Sequence, residues 1–229
     1  MARYLRLRQI CLVATDLARE AARLRDSLGV EECYRDPNVA KYGLENILFP
    51  VGRSFIEIVA PTRSGTAAGR FLERSGRGYM VILDCDDPGR YRSRAEAQGI
   101  RVANLIRHDS YFGVQLHPKD TGAAMLEFNS TVGGADPMGP YAPAGPDWQR
   151  ATRTDLRLRA AEIESPDPAA LAARWGKLMD RPVKDDRIVL DSGEIRFRQG
   201  KDEAFTAVEL EATKKAEVEV CGVRFRLAS

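Results

Sequence analysis

Leu7-Arg-Gln-Ile-Cys-Leu-Val13, followed by Thr15-Asp16 and a helical segment ending near Leu28-Gly29, is the stretch on which the fold turns. Its first part is an apolar, strand-like run. Asp16 can cap the helix by accepting a bond from a free backbone N–H, and Leu17, Ala21, Leu24 and Leu28 form an apolar stripe at helical spacing. Gly29 suits the left-handed residue that stops it. Two extended runs follow, Gly43 to Phe49 and Ser54 to Val59, joined by a turn at Pro50-Val-Gly52.

The same grammar returns downstream, and a repeat of that size governs the architecture. Tyr79-Met-Val-Ile-Leu-Asp-Cys85 is the second opening strand; Asp87 caps a helix, Pro88 takes its first position and Gly99 stops it. The extended runs Gly113 to Leu116 and Ala123 to Phe128 complete that copy. A third opens at Leu156 to Ile163, with Pro166-Asp-Pro168 leading a helix striped by Leu171, Trp175 and Leu178. Strand-like Arg187–Leu190, Glu194–Phe197 and Phe205–Leu210 come next. A hairpin-like pair, Ala216–Val220 and Val223–Leu227, resembles the remnant of a fourth copy. Between copies two and three, glycines and prolines suppress regular structure. The expected organisation is therefore two βαβββ modules in 1–131, a Gly/Pro-rich linker in 132–150, and a third module plus hairpin in 151–229. The fold class is α+β: the modules form a cupped mixed β-sheet with helices outside. Alternate strand residues face a shared concave space of ligand size.

Composition narrows the function. Lys+Arg 35 against Asp+Glu 33 gives a formal net charge of +2, with acids interleaved among the arginines, so no electrostatic case for nucleic acid arises. No stretch approaches the roughly 20 apolar residues of a membrane span. The charged N-terminal run lacks the apolar segment and cleavage site of a signal peptide. Cys11, Cys33, Cys85 and Cys221 form no C-x-x-C pair, which fits a reduced cytoplasmic protein. No G-x-S-x-G, P-loop, H-E-x-x-H or dinucleotide fingerprint is present.

The local sequence resembles the vicinal oxygen chelate superfamily, which includes glyoxalase I, bleomycin-resistance proteins, extradiol dioxygenases and methylmalonyl-CoA epimerase. The segments that carry the resemblance are Phe55-Ile-Glu-Ile-Val-Ala-Pro61, Gly65-Thr-Ala-Ala-Gly-Arg-Phe-Leu72, and Leu116-His-Pro-Lys-Asp120 leading to Gly122-Ala-Ala-Met-Leu-Glu127. They are nearest to epimerase-like and glyoxalase I-like members, over about residues 5–130. The resemblance implies four inward-facing metal positions, here Gln9, Glu57, Met80 and Glu127. Met80 stands where a histidine is expected; it is read as core packing rather than a ligand, because a thioether is soft and the other donors are hard. Gln9, Glu57 and Glu127 could still hold a hard divalent ion, magnesium or manganese, weakly; the alternative is no cofactor. The extradiol iron triad lacks its histidines. Lys41 occupies the place of the epimerase's catalytic glutamate, which speaks against methylmalonyl-CoA epimerase activity.

Glu57 and Glu127 are thus the expected catalytic residues. Two carboxylates in one enclosed space need a metal, a shared proton or a cation such as Arg6, Arg8, Arg53 or Lys41. His117, before Pro118, is expected to shape a turn, and His108 to lie in a polar loop or at the start of a strand; Tyr111 and Phe112 belong to the cup mouth or to the core. Glu162 and Glu209 have no matching ligand set. The functional expectation is a small-molecule-binding protein with a degenerate metal site, a lyase or isomerase on a carbonyl or acyl substrate. The alternative is a non-catalytic, sequestering protein of the bleomycin-resistance kind. The resemblance also implies a homodimer, for which the extra modules within this chain are a rival.

Overall fold

A computed structural model describes residues 3–74, 78–153 and 155–229; the first two residues of the charged N-terminal run lie outside them. The chain folds into two seven-stranded mixed sheets. The first contains β1 (Leu5–Val13), β2 (Leu44–Val51), β3 (Ser54–Pro61), β4 (Met80–Cys85), β5 (Val102–His108), β6 (Tyr111–Leu116) and β7 (Met125–Thr131), in the order β2-β3-β1-β4-β7-β6-β5. The second contains β8 (Arg157–Ser165), β9 (Val183–Lys184), β10 (Arg187–Val189), β11 (Glu194–Gln199), β12 (Ala204–Glu211), β13 (Ala216–Val220) and β14 (Val223–Ala228), in the order β13-β14-β12-β8-β11-β10-β9. The α+β class and the curled sheet with helices outside its cup are as expected.

Helix termini obey the sequence signals. In α1 (Leu17–Leu28) Asp16 accepts from the Arg19 N–H at 3.0 Å, and Gly29, at φ 63°, closes the helix. In α3 (Pro88–Ala97) Asp87 accepts from the Gly89 N–H, and Gly99 follows at φ 70°. Asp167 caps α5 (Pro168–Met179). The connector expected between β3 and β4 contains a helix, α2 (Ala67–Arg74), and His117 caps the one-turn α4 (Pro118–Thr121) through its Nδ1.

Besides the two-residue β9, which was not expected, two elements differ from the sequence reading. β5 was not expected, and His108 is its last residue. It is an edge strand, mostly open to solvent, and its polar residues hid the two-residue period. β12 was expected to end the third copy. It instead pairs antiparallel with β8 and parallel with β14, as β4 pairs antiparallel with β1 and parallel with β7. β12, β13 and β14 are therefore a fourth module that lacks its helix and one strand, with only residues 212–215 between β12 and β13.

One apolar core joins the sheets. Ile10, Leu12, Ile56 and Leu126 of the first sheet share it with Ala161, Ile163, Val208 and Phe225 of the second, and with α1, α3 and α5. α1 lies on β2 and β3 and also reaches β13, while α3 touches α5. α1, α3 and α5 thus occupy the space between two back-to-back sheets, and each concave face looks outward; α2 instead packs through Ala68 with Cys11, Val59, Met80 and Ile82 on the cup side of the first sheet. Trp175, fully buried, donates its Nε1–H to the Thr121 carbonyl at 2.8 Å across this seam.

Segment 132–150 carries no strand or α-helix, yet it is firmly held. Arg6 donates to the carbonyls of Gly134 and Ala135, and Arg8 to that of Pro137. Tyr141 stacks on Phe55 at 4.8 Å between centroids, and Trp148 meets the same ring edge-on at 4.9 Å. Aromatic contacts of this kind add about 0.5–1.5 kcal/mol each beyond burial. The segment closes one end of the first sheet's cup.

Candidate functional site

The first sheet's concave face encloses a cavity of about 330 Å³, walled by both carboxylates singled out in the sequence. Its floor runs across neighbouring strands, because residues in register on one face must share a neighbourhood. Cys11 on β1 is opposite Glu57 on β3 and opposite Met80 on β4; Ile82 on β4 is opposite Glu127 on β7; Gln115 on β6 is opposite Glu127. A bulge on β1 between Leu7 and Gln9 shifts the alternation, so that Leu7 enters the core while Gln9 enters the cup.

Glu57 and Glu127 are 8% and 4% exposed. Glu57 accepts at Oε1 from Asn46 Nδ2 (2.7 Å) and at Oε2 from Gln9 Nε2 (2.8 Å). Glu127 accepts at Oε1 from the Tyr111 hydroxyl and from Asn129 Nδ2 (2.9 Å), and at Oε2 from Gln115 Nε2 (2.7 Å). The Tyr141 hydroxyl donates to Gln9 Oε1 (3.0 Å) and accepts from Asn129 Nδ2 (3.3 Å). A continuous chain, Glu57–Gln9–Tyr141–Asn129–Glu127, therefore links the carboxylates through neutral groups.

None of the expected counter-charges pairs with them among the described residues. Arg6 binds Asp84 at 2.5 Å. Arg8, 2% exposed, is caged by the rings of Tyr141, Phe55 and Trp148 at 4.8, 5.2 and 5.6 Å and also donates to the Arg53 carbonyl. Lys41 is exposed at the cavity mouth, 5.0 Å from the Tyr42 ring. Both carboxylates are instead held by hydrogen bonds from neutral side chains. Burial pushes the Glu57 carboxyl above its ordinary 4.5, and the charge of Glu127 adds to this, against hydrogen bonds from Asn46, Cys11 and Gln9. Burial and then Glu127 push the Tyr111 and Tyr141 phenols well up, so both remain neutral donors. The Cys11 thiol is pushed up by burial and by Glu57, which keeps it from being a thiolate nucleophile.

The residues fit a bound hard cation poorly. Both oxygens of each carboxylate already accept side-chain hydrogen bonds, and Gln9 turns a donor toward Glu57 while its own oxygen accepts from Tyr141. Met80 lines the cavity as a buried side chain. Among the described residues, no group of three or more His, Cys, Asp or Glu side chains is placed to hold a metal ion.

The structure brings Gln9, Glu57 and Glu127 to one cavity together with Tyr111, which the sequence set at the cup mouth or in the core; Asn46, Gln115, Asn129 and Tyr141 were missed. Asn129 was within reach, lying two residues beyond Glu127 on the same face; Asn46 and Gln115 are polar positions within strands that were recognised. Tyr141 had no local signal, because only the tertiary path of 132–150 places it. On the second sheet, the corresponding face is filled by ion pairs, Glu162 with Arg226 (3.1 Å) and Glu209 with Arg196 (2.6 Å).

Known proteins sharing this architecture include a hypothetical protein from Staphylococcus aureus, which superposes with a TM-score of 0.73 at 14% identity and covers 98% of each chain. A Streptomyces coelicolor methylmalonyl-CoA epimerase variant in complex with 2-nitronate-propionyl-CoA gives a TM-score of 0.51 at 21% identity, covering 60% of this chain and 99% of that one. At such identities the likeness shows the fold alone. No curated protein matches the chain in sequence. A family model described as a glyoxalase-like domain matches residues 9–179. With its curled sheets and that match over most of its length, the chain belongs to the glyoxalase-like domain family of the vicinal oxygen chelate superfamily.

Proposed function

We propose that the cup binds a small carbonyl or acyl compound and moves a proton on it without a bound metal, as a lyase or isomerase would. Glu57 is the acid–base group and Glu127 the fixed partner carboxylate. The observation that carries this reading is the pair of buried carboxylates facing one cavity with neutral donors only, one of them pushed toward neutrality. Acid–base groups work best when their pKa lies near the working pH, and burial moves the Glu57 carboxyl in that direction. Cys11 and Met80 supply uncharged walls, and Tyr111 and Gln115 keep Glu127 in place. The epimerases of like fold act on methylmalonyl-CoA; the exposed Lys41 at their base position supports a different substrate here.

The test is exchange of α-protons in D2O, followed by NMR, on a panel of small ketones and acyl thioesters. Exchange that persists in EDTA and disappears in Glu57→Gln supports the proposal; exchange abolished by EDTA and restored by magnesium or manganese overturns it. A second reading, ligand sequestration without chemistry, is favoured by the hydrogen bonds that already hold both oxygens of each carboxylate in the free protein. Tight binding of a panel compound with no exchange of any proton is its signature.

A further inference from the structure

We infer that the ligand of this cup carries a protonated nitrogen, an organic ammonium or a related cation, at the end that reaches the floor. The inference rests on the reading of the cup as a ligand site and adds the charge of what fills it. The cavity itself defines the site; the sign of its charge defines the class. Its deep end holds two carboxylates, while the one lysine or arginine among its described lining residues, Lys41, stands exposed at the mouth.

The hydrogen-bond inventory points the same way. Each carboxylate offers about four lone-pair sites. Asn46, Gln9 and Cys11 bond to Glu57, and Tyr111, Asn129 and Gln115 to Glu127, leaving about one acceptor site on each carboxylate for a ligand donor. An ammonium has three donors and no acceptor, so it can meet both carboxylates at once and leaves no acceptor of its own unpaired against them. The hydroxyl protons of Tyr111 and Tyr141 are already committed to Glu127 and Gln9. An anionic head group at the floor would lie against two carboxyl groups, while the basic side chains of the lining, Lys41 and His108, are both exposed, and like charges brought together without a counter-ion are strongly disfavoured.

The walls suit a cation as well. Tyr34, Tyr42, Tyr79 and Tyr111 line the cavity beside aliphatic side chains. Aromatic faces attract a desolvated ammonium through their quadrupole, and carboxylates behind them complete its neutralisation. An ammonium at the floor also supplies the positive charge that neither Arg6 nor Arg8 provides, since Asp84 and the aromatic cage hold those two side chains elsewhere.

Calorimetry with three probes of one shape tests this: phenethylamine, phenethyl alcohol and phenylacetate, on the full chain. The expected result is phenethylamine binding about tenfold more tightly than the alcohol, the range that cation–π and carboxylate contacts produce, with phenylacetate weakest. In Glu57→Gln and in Glu127→Gln the advantage of the amine over the alcohol should fall to about threefold or less. A near-ultraviolet circular dichroism spectrum that matches the native one in each variant reports that the fold around the cavity is kept. Phenylacetate binding as tightly as the amine, an amine preference untouched in both variants, or no binding of any probe overturns the inference. Glu57-dependent proton exchange on carbonyl compounds without amine preference sinks this inference and leaves the proton-transfer reading standing. Amine preference without exchange does the reverse.

Discussion

Replacing Glu57 with glutamine should destabilise the fold most at low pH and progressively less as pH rises. Two opposing costs produce this. Glutamine must turn its amide NH2 toward either Gln9 Nε2 or Asn46 Nδ2, both of which donate to position 57. Neither neighbour can flip freely, because Asn46 Oδ1 accepts from the Asp36 N–H at 2.8 Å and Gln9 Oε1 accepts from Tyr141 at 3.0 Å. A buried donor set against a donor costs about 1–3 kcal/mol. The opposing effect belongs to the native carboxyl. Its pKa is raised above 4.5 in the folded state, so the stabilisation from holding its proton is complete below that value and is lost as pH climbs through the raised pKa. Each unit of upward displacement makes the ionised native protein less stable by about 1.4 kcal/mol at high pH. Glutamine carries no such penalty. Urea denaturation between about pH 4 and 8, followed through the buried Trp148 and Trp175, should show the stability gap between native protein and variant narrowing across that window. A gap that is constant, or one that widens with pH, would refute the burial argument for Glu57.

Three further outcomes follow from the same structure. Asp84→Asn leaves Arg6 and Arg8 buried without their carboxylate and should cost about 3–5 kcal/mol in chemical denaturation, whereas a loss below about 1 kcal/mol means that the carbonyls of 134–137 suffice for both arginines. Tyr141→Phe removes the hydroxyl between Gln9 and Asn129 and should cost about 1–3 kcal/mol with the fold retained by circular dichroism; a neutral effect would mean that the Glu57–Glu127 chain is not maintained by this link. Gly145→Ala places a Cβ at φ +72°, in a region only glycine enters freely, and against the Tyr34 ring at the cup mouth. It should lower stability by about 1–3 kcal/mol and weaken phenethylamine binding, read by calorimetry, and an unchanged affinity would separate this loop from the cavity.

Much of the architecture was legible because its causes are local. Asp16, Asp87 and Asp167 each accept the backbone N–H that a helix start leaves free, and Gly29 adopts the left-handed conformation that ends one. β5 escaped because half of its residues face water, and β12 because a strand does not announce which neighbour it will pair with. The site was legible in part. Glu57 and Glu127 came from a motif resemblance, whereas what neutralises them lies on strands whose partners only topology sets. Of the cations nominated for that task, Arg6 and Arg8 are engaged elsewhere, and Arg53 and Lys41 are exposed.

The amino-acid order alone determined the repeated module, the helix boundaries, the apolar stripes that make the common core, and the presence of two acids on separate repeats. Tertiary structure decided which way Gln9 points: in strict alternation it would share the face of Leu5 and Leu7, and the bulge at Arg8 moves it into the cup. It also brought Tyr141 beneath Gln9 from a segment that has no periodicity, held by arginine bonds to carbonyls more than a hundred positions away in sequence. The division has one physical origin. Capping and stripe formation depend on neighbours a turn apart along the chain, while the charge state of a buried acid depends on every group that folding brings within hydrogen-bonding reach.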